Sequence, residues 1–351
     1  MKLVLTEEQE DLRATVRRLL TEHAPMSRVR EVAVDKGEYD KELWARLAEL
    51  GVTGLTVDEK HGGAGAGHVE LAVVAEELGR ALAPVPFVAV TLAATALSAA
   101  EGADDLLARI AGGEAVATVA GAGVSDGAPT ATQSGGGWTL EGTANLVLDG
   151  QHADHVIVLT GGRTFAVDAT ASGLTRTALD SADPTRSFAR LDFAGTPATV
   201  LNGDASGAVR RAAALTMAAE QAGGTAHCVE TTVEYAKIRM QFGRPIGSFQ
   251  AVKHALADMY SESEQAVAAL RFAAWAADED PDEADNAASL AKIACSEAYA
   301  HVAAQTIQLH GGIGFTWEHD AHLYFKRARA DNALFGDPAR HRELLAQRLG
   351  L

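Results

Sequence analysis

A mainly α chain with a β insert is the fold class this sequence predicts, and three observations predict it. Residues 1–113 carry apolar positions at helical spacing. Residues 114–200 break into short apolar runs divided by Gly, Asp, Ser and Pro. From residue 201 to 351 long alanine-rich stretches return, with helical spacing and few prolines. That order predicts an N-terminal helical domain (1–113), a middle small antiparallel β domain (114–200) and a C-terminal helical bundle (201–351).

The elements follow in chain order. Thr6 precedes EEQEDL, with Gln9 three residues on, a capping-box pattern that opens a helix. Leu12, Val16, Leu19 and Leu20 continue it. Leu43, Leu47 and Leu50 mark a second helix that Gly51 closes. His61–Gly67, HGGAGAG, is not helix interior, and Val69–Leu82 is a further apolar helix carrying Glu76 and Glu77. In the middle, Ala115–Val119, Trp138–Leu140, Ala144–Leu148, His155–Leu159, Thr164–Val167 and Arg190–Phe193 are the strand candidates, and SGGGW at Ser134–Trp138 reads as a hairpin turn. Ala208–Ile238, Phe249–Ala277 and Asp285–Leu309 are the long C-terminal helices, with Pro281 and the acidic run DEDPDEAD between the last two.

Composition bounds the function. The 351 residues carry 30 Lys+Arg and 47 Asp+Glu, a formal net charge of −17. That acidity argues against a nucleic-acid partner, which selects a basic face. Two cysteines, Cys228 and Cys295, exclude a disulfide framework and a Cys-rich zinc site; they are expected to pack as small apolar side chains. The start MKLVLTEEQED turns acidic at once and is not expected to be a secretory signal. The apolar run Val88–Ala100 is shorter than the roughly 20 residues a membrane span needs. A soluble cytoplasmic protein without a membrane partner is expected.

Most catalytic templates are absent: no GxGxxG after a strand, no P-loop, no HExxH, no GxSxG. GGAGAG at Gly62–Gly67 lies between helices, so a tight connection is a better reading than a phosphate cradle. His310, His319 and His322 make no compact metal pattern, and no metal is expected. Two segments stand out. In AKIRMQFGRPIGSFQAVKHALADM (236–259), Arg239 and Arg244 bracket a Gly/Pro loop with Phe242 on it, suiting a phosphate and a flat ring, and a helix is expected to begin near Ser248 with its hydroxyl as cap. In IQLHGGIGFTWEHDAHLYFKRARADNALFGDP (307–338), Gly311, Gly312 and Gly314 permit close backbone approach, with Gln308 and His310 beside them. A solvated loop and a plain glycine helix cap stand beside these functional readings.

Together these segments resemble the C-terminal signature of the acyl-CoA dehydrogenase flavoproteins, in which R-x-Q-F-G-R-P-I-G-x-F-Q precedes Q-L-H-G-G-x-G. ELGVTGLTVDEKHGGAG and EELGRALAP resemble the family's first helical domain, so the resemblance spans nearly the whole chain. It implies a C-terminal four-helix bundle, FAD, an acyl-CoA substrate, an electron-transfer flavoprotein as acceptor, and a dimer or dimer of dimers. It also implies that Arg239, Gln241, Phe242, Gly243, Gln250, Gln308, Gly311 and Gly312 bind the cofactor: Arg239 on the pyrophosphate, Phe242 packed against the cofactor, Gln308 and Gly311–Gly312 at its adenosine end.

The departures are as informative. The family's base is a glutamate that removes an α-proton acidified by the thioester. Where its Tyr-Glu-Gly triplet belongs, this chain has Leu334-Phe335-Gly336; at the alternative location early in the first long C-terminal helix it has Ala213. Asp337 and Glu220 are the nearest candidates for a displaced base. The flavin-facing loop of the family corresponds to TVAGAGVSDGAP, and its polar strand to Asn145–Gly150, with Leu146 and Leu148 in place of Trp and Thr. The resemblance implies that the half of the FAD site that one subunit donates to its partner is kept, while most of the half used in its own pocket is not. The resemblance therefore implies the base-lacking subunit of an α2β2 acyl-CoA dehydrogenase, like bacterial enzymes acting on steroid side-chain CoA thioesters. A self-sufficient homo-oligomer with a relocated carboxylate, and a non-catalytic scaffold with this fold, stay open.

Overall fold

The computed structural model describes residues 3–121 and 127–351. The chain opens with α1 (Glu7–His23), where Thr6 and Gln9 make the predicted reciprocal capping box. One-turn α2 (Met26–Val29) runs into a π-helical turn over Arg30–Asp35. Then come α3 (Lys41–Glu49), α4 (His68–Arg80), α5 (Phe87–Ala99) and α6 (Asp104–Ala111). Gly51 closes α3 from the left-handed region at φ +76°. The Gly62–Gly67 loop is a tight connection: the N–H groups of Gly63, Ala64, Gly65 and Ala66 bond the carbonyls of Asp58, Gly54, Val57 and Leu55. Those donors are engaged, so the loop is no phosphate cradle.

Seven strands follow: β1 (Ala117–Ala120), β2 (Thr130–Ser134), β3 (Gly137–Leu148), β4 (His155–Thr160), β5 (Arg163–Asp168), β6 (Leu174–Leu179) and β7 (Phe188–Leu201). Their order is β1-β4-β5-β7-β3-β2, with β6 also on β7. All pairs are antiparallel except β1 with β4, which run parallel. β7 is the spine: residues 188–198 pair with β3 and residues 199–201 with β5. Leu140, Val156, Val158, Phe165, Leu191 and Phe193 form the core of this sheet, each buried side chain of this kind contributing about 1.5–3 kcal/mol. Two candidate strands, Trp138–Leu140 and Ala144–Leu148, are one strand, irregular between Leu140 and Glu141 and between Ala144 and Val147. In the second irregularity Leu146 sits at φ +51° and is exposed, while Leu148 is buried. The predicted hairpin turn is Gly135–Gly136, both at positive φ. β2 and β6 escaped the sequence because their polar, largely exposed residues give no apolar run. Residues 122–126 of the TVAGAGVSDGAP loop lie outside the described residues.

The C-terminal part is α7 (Ser206–Ile238), a two-residue hairpin β8 (Met240–Gln241) and β9 (Arg244–Pro245), then α8 (Gln250–Glu279), α9 (Pro281–His310), α10 (Ala321–Ala333) and α11 (Pro338–Leu349). Two expectations about helix starts change. Ser248 does not cap α8: its hydroxyl donates to the Pro245 carbonyl at 2.7 Å and Phe249 holds the cap position. Pro281 does not lie in a loop but begins α9, with Asp280 alone as the joint, because proline tolerates the first helical turn, where its missing N–H is not needed.

The described chain forms two compact units. One holds residues 30–67 and 84–213; within it α5 packs on β1 and on α6. The other holds residues 1–29, 68–83 and 214–351, where α1 packs on α4, α4 on α8, and α8, α10 and α11 on α9. Glycines set the closest approach here. A Cβ on Gly223 would stand 1.8 Å from the Glu76 carbonyl oxygen, and one on Gly79 would stand 2.1 Å from that of Glu220, so α4 and α7 cross backbone to backbone. Cys228 and Cys295 are buried in this core as expected, and burial pushes both thiols up to about 12. Among the described residues no helix is long and apolar enough to cross a membrane.

Candidate functional site

The residues singled out from the sequence fall at two separate places in the helical unit. Arg239, Gln241, Phe242 and Gly243 form the hairpin that follows α7, and Gln250 opens α8 just after it. Gln308 stands in the last turn of α9, with Gly311 and Gly312 leading the 3₁₀ turn Gly311–Phe315. Tyr235 joins the two segments. Its ring stacks on His310 with centroids 4.3 Å apart, and its hydroxyl donates to the His310 carbonyl at 3.3 Å. Thr232 and Thr306 bond to one another at 3.1 Å one turn below. The cofactor candidates therefore share one end of the bundle.

The hairpin is tight. Phe242 and Gly243 are both in the left-handed region, at φ +52° and +76°, as a two-residue turn of mirror-image type requires. Glycine meets that demand without strain; phenylalanine does not, and the ring it carries is 91% exposed. An exposed aromatic on a strained backbone is not explained by the stability of this chain. Arg244 folds back over Phe249, 4.2 Å from the ring centroid, and Phe242 meets Phe249 edge-on at 6.1 Å. Arg239 is exposed, with its backbone engaged: the carbonyl accepts the Ile246 N–H at 2.8 Å. Gln241, Gln250 and Gln308 are exposed amides, and Gln250 Nε2 lies 3.5 Å from His254 Nε2.

The glycine turn is open. Gly311 is at φ +64°, and added Cβ atoms on Gly311 and Gly312 would meet nothing within 4 Å. Gly314 is different: a Cβ there would stand 2.8 Å from the His310 Cβ, so its smallness serves packing. His310 donates from Nδ1 to the Thr306 carbonyl at 2.7 Å, and burial, with the charge of His319, holds its pKa below the ordinary value. Beyond the turn stand two aromatics that sequence reasoning passed over, Phe315 (82% exposed) and Trp317 (67% exposed). Lys326 lies 4.3 Å over the Trp317 ring. Their signal was available: aromatic residues placed directly after a glycine turn.

The two base candidates lie elsewhere. Glu220 is buried on α7, with Arg327 Nη1 of α10 at 4.0 Å. At roughly 1.5 Å rise per residue it stands about 27 Å along the helix from Ile238. Asp337 is exposed and caps α11, accepting the Arg340 N–H at 2.8 Å. Phe335 and Gly336, just before it, are both at positive φ (+57° and +97°), and His341 Nε2 donates to the Phe335 carbonyl at 3.1 Å. Beside that loop α10 is tied to α9 by buried Lys292, which bonds Ser296 Oγ and the Asp331 carbonyl, each at 2.9 Å. Lys292 is about 27 Å along α9 from His310. Two ends of one bundle thus carry the two sets of candidates.

The donors at the hairpin end suit a nucleotide diphosphate: one guanidinium, three amides, uncovered glycine backbone and an exposed ring. Family models match both termini: the acyl-CoA dehydrogenase N-terminal domain over residues 6–114 and the acyl-CoA dehydrogenase C-terminal domain over residues 211–350. The chain is 40% identical over 340 residues to acyl-CoA dehydrogenase IpdE2 of Mycobacterium tuberculosis, covering 95% of this chain and 94% of that protein. In three dimensions it is similar to a chain of the ChsE4-ChsE5 complex of M. tuberculosis, with TM-score 0.92, 31% identity and coverage of 100% and 99% of the two chains. It is equally similar to a chain of the Tcur3481-Tcur3483 steroid ACAD, with TM-score 0.91, 32% identity and 98% of each chain covered.

Proposed function

The chain belongs to the acyl-CoA dehydrogenase family, oxidoreductases acting on CH–CH donors, and on that premise we propose that it is the base-lacking subunit of a heteromeric, FAD-dependent member. The family's members are FAD-dependent. When bound, FAD supplies the acceptor for the hydride that leaves the acyl β-carbon. Arg239, Gln241, Gln250, Gln308 and the open Gly311–Gly312 backbone are the groups of this chain that would hold its pyrophosphate and adenosine, with Phe242 packed against it.

One observation carries the reading: the cofactor-holding end of the bundle is about 27 Å along α7 and α9 from the end where a base would stand. A single compact active site does not span that distance. The hairpin end therefore serves a site completed by another subunit. At the two sequence positions where the family's base belongs this chain has Phe335 and Ala213, neither able to accept a proton, and Glu220 is buried facing a guanidinium. Thus this chain supplies binding groups and the homologous partner supplies the base. The likeness to chains of the ChsE4-ChsE5 complex and of a steroid ACAD supports a paired assembly and a bulky, steroid-type CoA thioester. An electron-transfer flavoprotein is the acceptor that fits the family.

The test is the visible spectrum of this chain purified alone and co-purified with a homologous subunit. The expected result is a colourless chain alone and a yellow complex, with flavin content falling in the complex when Arg239→Ala is introduced. A yellow chain alone, bleached by an acyl-CoA, would overturn the proposal.

A further inference from the structure

A cavity of 360 Å³ opens in the helical unit between α1, α4, α7 and α10, lined by none of the cofactor or base candidates just described. His227 on its wall lies about 16 Å along α7 from Ile238 and about 10 Å from Glu220. The wall has two chemistries. Leu20, Ala24, Pro25, Met26 and Ala81 give an apolar side. His227 and Tyr324 form a stacked pair beside it, centroids 4.5 Å apart and planes 14° from parallel. Tyr324 is fixed in that pose, because its hydroxyl donates to the Arg80 carbonyl at 2.7 Å. Burial, then the charge of Arg80, drives the His227 pKa down to about 4, so the ring is neutral at pH 7.

Two arginines stand at the rim, each paired with a glutamate. Arg17 binds buried Glu77 through Nε and Nη2, at 2.8 and 2.6 Å. Arg80 binds exposed Glu230 through both terminal nitrogens. A guanidinium has five N–H donors, so each arginine retains donors beyond its own carboxylate pair. Glu77 and Glu230 match the two guanidinium charges, so the rim offers a ligand N–H donors rather than net positive charge. The volume lies in the range of small-molecule sites, and an apolar wall with a few convergent polar groups is their common make-up.

We propose that this cavity binds a small carboxylate with a flat apolar body, its ring against the His227–Tyr324 pair and the Met26 side, and its carboxylate on the free donors of Arg17 and Arg80. The planar pair selects a flat body over a flexible chain. The guanidinium fork selects a carboxylate over an amide. The site is independent of the flavin assignment, since no lining residue belongs to it.

The experiment is titration calorimetry on the full chain with cinnamate, neutral cinnamamide and flexible octanoate. Saturable binding of cinnamate is expected, with the amide and octanoate each at least tenfold weaker. Ala81→Phe, just past the end of α4, fills the cavity and should abolish the heat. Should Ala81→Phe lose its fold by circular dichroism, Thr21→Phe obstructs the same cavity from its exposed rim and should do the same. No saturable cinnamate binding, or equal binding by a folded blocked variant, would overturn the site. Equal affinity for the amide would overturn the role of the arginines, and equal affinity for octanoate that of the ring pair.

Discussion

The hairpin end of the helical bundle and its glycine-crossed interior obey opposite rules. In the interior, small residues bring backbones together: Gly79 and Gly223 seat α4 on α7, and Gly224 seats the Tyr299 ring. Charges are paired where they are buried, as in Glu76 with Arg271 and Glu77 with Arg17. At the hairpin end, rings stand uncovered, glycines border open space, and a phenylalanine occupies a conformation suited to glycine. The first region is built to hold this chain together. The second is the surface that, on the proposed function, a cofactor shared with a partner subunit covers. In a single chain, backbone strain together with exposed rings marks a surface shaped for binding.

That contrast can be broken in graded ways. The largest effect is expected from Gly223→Leu. With a Cβ already 1.8 Å from the Glu76 carbonyl oxygen, the substitution should remove about 3 kcal/mol or more of folding stability by prising α4 from α7. The urea midpoint measures this, and an unchanged midpoint would refute the backbone crossing.

Next is the pH response of the interior. His227 is held near 4 in the fold, against 6.5 for the free side chain. The unfolded chain therefore takes up a proton near 6.5 that the folded chain refuses until about 4. The stability so gained is complete above about pH 6.5 and is lost as pH falls through that window, by up to about 3 kcal/mol. His227→Gln should flatten the dependence of melting temperature on pH between 6.5 and 4; parallel curves for the two proteins would sink the assignment.

A smaller change tests the other end of the chemistry. Asp337→Ala removes a helix cap and should lower stability by about 1 kcal/mol while the turnover of the reconstituted complex is retained. A collapse of turnover with the fold intact would make Asp337 the displaced base after all.

The smallest effect on the chain alone is the most telling. Phe242→Asn places a residue that tolerates the left-handed region at that turn and should raise the stability of the isolated chain by about 0.5 kcal/mol. It should lower flavin retention in the complex, read from the visible spectrum. If neither quantity moves, the strain at Phe242 serves no binding role.

Much of this was legible in the residues. Thr6 and Gln9 announced α1, Gly51 ended α3, and the Gly-Gly pair at 135–136 announced a hairpin turn, because capping and positive φ are local demands that a few residues satisfy. Arg239, Phe242 and Gly311 were legible as a candidate site from residue type and order. β2 and β6 were not, since exposed strands carry no apolar pattern. Nor was Ser248, whose hydroxyl found the Pro245 carbonyl instead of a helix end.

By itself, then, the sequence determined the succession of helices, strands and helices, the family, and the absence of a carboxylate at Phe335 and Ala213. These depend on local spacing and on residue identity. Only the tertiary structure decided that Glu76 and Glu77 are buried against arginines 195 and 60 residues away, that Glu220 faces Arg327, and that the hairpin and the glycine turn share one end through Tyr235 and His310. Those facts arise from which helix faces meet, and the same glutamate reads alike in sequence whether solvent or a guanidinium awaits it.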